Sequence, residues 1–334
     1  MSAVDQAIKN LNRNGFLHLP VDKSLNLHEE IIKLKKEKNA IILAHYYQVP
    51  AIQDIADYVG DSLGLAQKAE ATDADIIMFA GVHFMAETAK MLNPGKKVLL
   101  PDLHAGCSLA DSAPPELFRD FKAKYPNHLV VSYVNSTAEL KTMTDICCTS
   151  SNAEHVINSI PKDKGIIFAP DRNLGAYLIK KTGRDMVLWH GVCQVHEMFS
   201  WEKIAGAMAE NPEAEFIAHP ECQPVVLDMA TYIGSTSGLL NHVRTSDKKE
   251  FIVATEPGIL YRMQKDVPEK KLIPAPAMTS CACNECPFMK LNTMEKLYNS
   301  LKYELPEVTL EQRLITEGRV CIDRMLEISA KAGL

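Results

Sequence analysis

The chain has 334 residues, enough for two or three domains. Hydrophobic residues make up 46% and charged residues 23%, which excludes a disordered, collagenous or coiled-coil chain. With 36 basic and 42 acidic residues the net charge is −6, which argues against nucleic acid or an anionic membrane surface as a partner. No stretch is apolar for long enough to cross a bilayer, and the opening MSAVDQAIKNLNRNG lacks the apolar core of a signal peptide. The expectation is a soluble, cytoplasmic chain.

The first apolar run, IILAHYYQ, stops at His45-Tyr46-Tyr47. An amphipathic stretch, PAIQDIADYV, and a small polar knot, GDSLG, follow it. Two further runs, ADIIMFAG and KVLLPD, flank the amphipathic AETAKMLN, and Cys107 comes soon after. The same series then recurs twice. LVVSYVNS ends at Tyr133-Val134-Asn135, followed by the knot TSSNA, the runs GIIFAPD and MVLWHG, and Cys193. FIAHPECQ ends at His219-Pro220-Glu221, followed by GSTSG, FIVATEP, KLIPAP and the cluster Cys281, Cys283 and Cys286. The offsets are 88 (133 − 45) and 86 (219 − 133), and Ser62, Ser150 and Thr236 occupy the matching place in the three knots.

Short β-branched runs alternating with amphipathic stretches read as βαβ units on parallel sheets, three runs per repeat. The expected fold is α/β, with three homologous three-layer αβα domains related by a pseudo-threefold axis and the active site at its centre. Residues 1–112 with a helical return over 287–334 form the first domain, 113–197 the second and 198–286 the third. All the marked residues then fall after the C-terminal ends of strands, where open α/β sheets bind ligands.

Nine cysteines, irregularly spaced, do not read as a disulfide framework. Cys147, Cys148 and Cys321 read as buried hydrophobes. One thiol per repeat suits a four-iron cluster with three ligands, whose open iron would be a Lewis acid for dehydration. Spacing points to Cys281 as the third, since it lies 88 residues (281 − 193) beyond Cys193. Local context points to Cys286, because it opens the apparent helix CPFMKLNTMEKLY, and a helix N-terminus favours a thiolate. Ser62, Ser150 and Thr236 read as helix N-caps whose helix ends also attract anions. His45, Tyr47, Tyr133, Asn135, His219 and Glu221 are hydrogen-bonding and proton-transfer groups, with Glu221 beside His219 the natural acid or base. Asp171, Arg172 and Glu256 read as interdomain pairs. His83 and Glu87 share a helix face without HExxH, so no zinc is expected there. On these residues alone an aconitase-like hydro-lyase, or a zinc or redox sensor using CxCxxC, remain alternatives.

The stretches AHYYQVPAIQDIADYVGDSLGLAQKA, GVHFMAETAKML, YVNSTAELK, CCTSSNA, FAPDRNLG, HPECQPVV, GSTSGLL, ATEPGILYRM and CPFMKLNT resemble the quinolinate synthase family, the A protein of de novo NAD biosynthesis. That resemblance covers residues 40 to 300. It implies a transferase that condenses iminoaspartate with dihydroxyacetone phosphate, releasing phosphate and two waters. It implies a [4Fe–4S] cluster on Cys107, Cys193 and Cys286, with one iron open. It carries substrate binding to His45, Ser62, Tyr133, Asn135, Ser150, His219, Glu221 and Thr236, and catalysis to Glu221, Tyr47 and His219, Tyr47 on the triose part. An L-aspartate oxidase is the implied functional partner. This chain has CxCxxC where longer members of the family have CxxCxxC.

Overall fold

The computed structural model describes residues 2–278 and 284–334, so Cys281 and Cys283 lie outside the described residues. The chain divides into two compact units, 1–107 with 287–319 and 108–286 with 320–334.

The first unit holds one sheet of β1 (Ala40–His45), β2 (Tyr58–Gly60), β3 (Ile76–Ala80) and β4 (Lys97–Leu99), in the order β2-β1-β3-β4. The second holds two sheets of the same design. One is β5 (His128–Tyr133), β6 (Ile146–Cys148), β7 (Gly165–Ala169) and β8 (Val187–Leu188), in the order β6-β5-β7-β8. The other is β9 (Glu215–Ala218), β10 (Tyr232–Ile233), β11 (Glu250–Ala254) and β12 (Lys271–Pro274), in the order β10-β9-β11-β12. Every pairing is parallel. The α/β class and its three parallel sheets are therefore as the repeat implies.

Each sheet has four strands where the sequence shows three runs. The additional strand, β2, β6 or β10, is an edge of two or three residues, too short to display a periodicity. Within PAIQDIADYV the helix stops at Ile55 and the chain turns straight into β2.

The register repeats as well as the order. Ile42 pairs with Met78, Val130 with Ile167 and Phe216 with Ile252. Asp57 and Asp145 precede β2 and β6, and their carboxylates accept the N–H groups of Ile42 and Val130, each at 2.8 Å. At the matching place Thr231 donates its hydroxyl to the Phe216 carbonyl at 3.0 Å.

Strands buried on both faces read as continuous apolar runs, and these do. In the first unit Ile42, Ala44, Met78 and Ala80 pack against Ile31, Ile52, Leu297 and Leu301. In the second, Val130, Ile167 and Ala169 pack on Phe118 and Leu140, while Phe216, Ala218 and Ile252 pack on Ile204 and Val226. Each fully buried side chain of this size contributes about 1.5–3 kcal/mol. Residues 320–334, which include the end of the helix Gln312–Lys331, complete the second unit. Cys321 Sγ lies 3.1 Å from Cys147 Sγ, and the Asn152 amide donates to Ser329 Oγ at 2.8 Å.

Two of the three polar knots, GDSLG and GSTSG, need a glycine at their start. A Cβ on Gly60 would stand 2.5 Å from the Tyr58 ring, and one on Gly234 would stand 2.7 Å from the Tyr232 ring. Gly206 differs, because it lies inside the helix Trp201–Glu210 with nothing within 4 Å of an added Cβ. Gly60→Ala is expected to destabilise by about 1–3 kcal/mol through overpacking. Gly206→Ala is expected to stabilise by about 0.5–1 kcal/mol. Urea unfolding of the two variants beside the parent checks both signs.

Candidate active site

The central strands β1, β5 and β9 end at the marked clusters. His45 and His219 fold their loops in the same way. Each Nδ1 accepts the N–H two residues on, from Tyr47 at 3.2 Å and from Glu221 at 3.4 Å. A ring nitrogen that accepts carries no proton, so each neutral ring keeps its hydrogen on Nε2. His219 presents that hydrogen to Ser150 Oγ at 3.2 Å. Tyr133 occupies the matching place on β5 and hydrogen-bonds the Glu221 carboxylate.

Glu221 is buried, with 2% of its surface exposed. Its Oε2 lies 3.0 Å from His196 Nδ1, and its Oε1 lies 3.9 Å from His219 Nδ1. The His196 ring stacks on His219 at 4.6 Å, and its Nε2 lies 3.1 Å from Thr255 Oγ1. Burial by itself would raise the Glu221 carboxyl. The two imidazoles and the hydrogen bonds from His196 and Tyr133 outweigh it and hold the group at about 2. At neutral pH Glu221 is therefore a carboxylate.

The thiols divide by exposure. Cys107, Cys193 and Cys286 are partly exposed, whereas Cys147, Cys148, Cys222 and Cys321 are buried. Each of the first three follows the last strand of one sheet, β4, β8 or β12. Burial pushes the Cys148 and Cys222 thiols well up, which keeps them protonated. Cys193 stands at the N-cap of the short helix Gln194–Glu197. Cys286 does not open a helix as its sequence context suggests. A turn and the short 3₁₀ segment Met289–Leu291 intervene, and the α-helix begins at Met294 with Thr293 as its cap.

Asp171 and Glu256 follow β7 and β11 and are fully buried. They hold the cysteine loops. Asp171 Oδ2 accepts the Cys193 N–H at 3.3 Å, and Glu256 Oε1 accepts the Cys286 N–H at 3.2 Å. Burial and the neighbouring Glu221 push the Asp171 carboxyl well up, while N–H bonds from Leu174, Cys193 and Asn173 pull it back. Arg172 pairs with Glu197 at 3.0 Å. Cys193, His196 and Glu221 bring ligand atoms within 4.8 Å of one another, so among the described residues this trio could hold a metal ion. His83 and Glu87 make a 3.6 Å i,i+4 contact.

The second unit thus brings Tyr133, Ser150, His219, Glu221 and Cys193 into one neighbourhood. The first unit holds His45, Tyr47, Ser62 and Cys107, with the His45 and Tyr47 rings edge-on at 4.3 Å. Asn135 has a buried Oδ1 with no hydrogen-bond partner among the described residues. Ser62 and Thr236 are the first residues of the helices Ser62–Ala71 and Thr236–Thr245, not their caps. Asp61 and Ser235 cap, accepting the N–H groups of Gly64 at 3.1 Å and Gly238 at 3.0 Å. The helix after Ser150 begins at Ala153, with Asn152 in the cap position.

Residues 29–327 match a family described as quinolinate synthetase A protein. A protein of Gloeothece citriformis named quinolinate synthase is 63% identical over 304 residues, 91% of this chain and 94% of its own length. The chain belongs to the quinolinate synthetase A family. Further relatives with the same name occur in Trichodesmium erythraeum, 60% identical over 96% of this chain and 97% of their own, and in Chloroherpeton thalassium, 60% identical over 91% and 95%. Membership makes the chain an enzyme and favours this reading over the hydro-lyase and the sensor. 

In this member of the quinolinate synthetase A family, sequence reasoning passed over His196. The available signal was Cys193-x-x-His196, which sets thiol and imidazole on one helical turn. The His196 ring is the nearest partner of the buried Glu221 carboxylate, at 3.0 Å, and removing one partner of a buried pair costs about 3–5 kcal/mol. His196→Ala is expected to lose stability of that order in chemical denaturation. A loss below about 1 kcal/mol would show that Glu221 does not depend on it.

Proposed function

We propose that the chain makes quinolinate by condensing iminoaspartate with dihydroxyacetone phosphate, releasing phosphate and two waters. In this reading the three αβα repeats are related by a pseudo-threefold axis. The enzyme works in the cytoplasm, supplied with the unstable imine by an L-aspartate oxidase. The observation that carries the reading is the division among the thiols. The three partly exposed cysteines are one per sheet, each beyond its fourth strand, while the other described cysteines are buried.

Cys107, Cys193 and Cys286 would hold a [4Fe–4S] cluster, and the N–H anchors on Asp171 and Glu256 support that fit for Cys193 and Cys286. When bound, a cluster with one iron free of protein ligands supplies a Lewis acid for expelling hydroxide as water. The remaining work belongs to side chains. The ten-residue helices opening at Ser62 and Thr236 offer N–H groups and a positive dipole end to carboxylate or phosphate oxygens. His45 and His219 offer Nε2–H donors, with Ser150 beside His219. Asn135 offers the buried amide oxygen to an N–H of the substrate. Tyr47 orients the triose. Glu221, held as a carboxylate, takes the proton released during isomerisation and dehydration, with Tyr133 in contact to stabilise it. Holding both substrates in one geometry turns a bimolecular condensation into an intramolecular one.

Anaerobically purified protein is expected to contain about four irons and four sulfides per chain and to form quinolinate from the two substrates. Zinc, or no metal after anaerobic reconstitution, would sink the reading. Glu221→Gln is expected to keep its iron and lose turnover by about 10²–10⁴-fold; unchanged turnover would remove Glu221 as the base.

A further inference from the structure

The loops after β1 and β5 share a device that the motifs do not reveal. Gln53, on the helix Pro50–Ile55, reaches back and donates through Nε2 to the carbonyls of Tyr46 and Gln48, both at 2.9 Å. Lys141, on the helix Ala138–Thr142, reaches back in the same way to the carbonyls of Val134 at 2.9 Å and Ser136 at 2.5 Å, and to Ser136 Oγ at 3.4 Å. The two side chains stand 88 residues apart (141 − 53), the spacing of the repeat itself. Both are buried, with 5% and 0% exposed.

In each loop the two carbonyls flank a single residue, Tyr47 in the first and Asn135 in the second. Tying both to one donor head fixes the 46–47 and 48–49 peptide planes in the first loop and the 134–135 and 136–137 planes in the second. These bracket the residue and so restrict the direction in which its side chain leaves the backbone. A glutamine amide has two hydrogens for two carbonyls, and a lysine head has three for two carbonyls and a hydroxyl. Among the described residues the third loop has no such clamp of its own. Leu227 occupies the matching place, and the Glu221 carbonyl is held from outside by the Asn173 amide at 3.1 Å. 

We infer that Gln53 and Lys141 are positioning residues that preset the loops of Tyr47 and Asn135 for substrate. The inference rests on the proposed reaction for its kinetic consequence and on the loops alone for its structural one. A preset loop does not have to be ordered when substrate arrives, so the benefit appears in kcat/KM.

The experiment uses the full chain with Gln53→Leu, Lys141→Met and Lys141→Gln. Iron content, amide hydrogen exchange without substrate, and quinolinate formation are read on each. Gln53→Leu and Lys141→Met are expected to keep parental iron and to speed exchange only within 46–48 and 134–136 respectively. Their kcat/KM is expected to fall at least ten-fold. Lys141→Gln restores donors and is expected to recover most of both effects. Unchanged local exchange overturns the inference, as does faster local exchange with parental kcat/KM. Gln53→Leu decides the matter if Lys141→Met does not fold. If the parent forms no quinolinate, the proposed reaction fails, and the exchange data alone still uphold or overturn the clamps.

Discussion

A parallel sheet covered on both faces has to stop somewhere, and where it stops the last backbone groups of its central strands must find partners away from water. That constraint organises all three sheets. The N–H just beyond β1 is taken by the Gly60 carbonyl, and the one beyond β5 by the Cys148 carbonyl. The turns that follow are closed by His45 and His219 through their own ring nitrogens, and by Gln53 and Lys141 through neighbouring carbonyls. Polar residues are therefore required at the strand ends before any chemistry is considered. The site is built from groups that the fold already needs there.

The same economy holds for the carboxylates. An ionised side chain in a dry interior is stable only with partners, and Glu221 has His196, His219 and Tyr133. Asp171 and Glu256 satisfy main-chain N–H groups at the cysteines, so each thiol loop is tied to the strand beside it and not merely to its own turn. Asp171 lies close enough to Glu221 for their charges to interact, which links the cysteine loop to the carboxylate. The ring stacked on His219 belongs to the short helix that Cys193 begins. Thiol, imidazole and carboxylate are thus held by one connected set of contacts.

The repeat was legible because its central strands are four to six residues long, largely apolar, and each stops at a polar cluster. From that pattern the sheets, the strand ends and the cysteines beyond the fourth strands could be placed. The edge strands could not, since two or three residues carry no period. The first and third helix starts came out one residue late, because GDSLG and GSTSG each contain two residue types able to cap and only the backbone decides between them, while the second came out two residues early, because Asn152 and not Ser150 takes the cap position. Cys286 looked like a helix start because Pro287 and the following apolar residues resemble one, yet Thr293 is the better cap and wins. His196 meets Glu221 from a different repeat, 25 residues away (221 − 196), and no local pattern encodes that contact. Gln53 and Lys141 escaped because a glutamine and a lysine do not look alike until their hydrogen bonds do.

The last residues of the helix Gln312–Lys331 complete the second unit rather than decorate it. Ser329 meets Asn152, the cap residue two places beyond Ser150, and Cys321 rests on Cys147 at the edge strand β6. Neither unit is continuous in sequence, and each recruits residues made after position 286. During synthesis the ribosome therefore delivers all three sheets before either unit can close, and the loop carrying Ser150 gains its final support only when the C-terminal helix emerges.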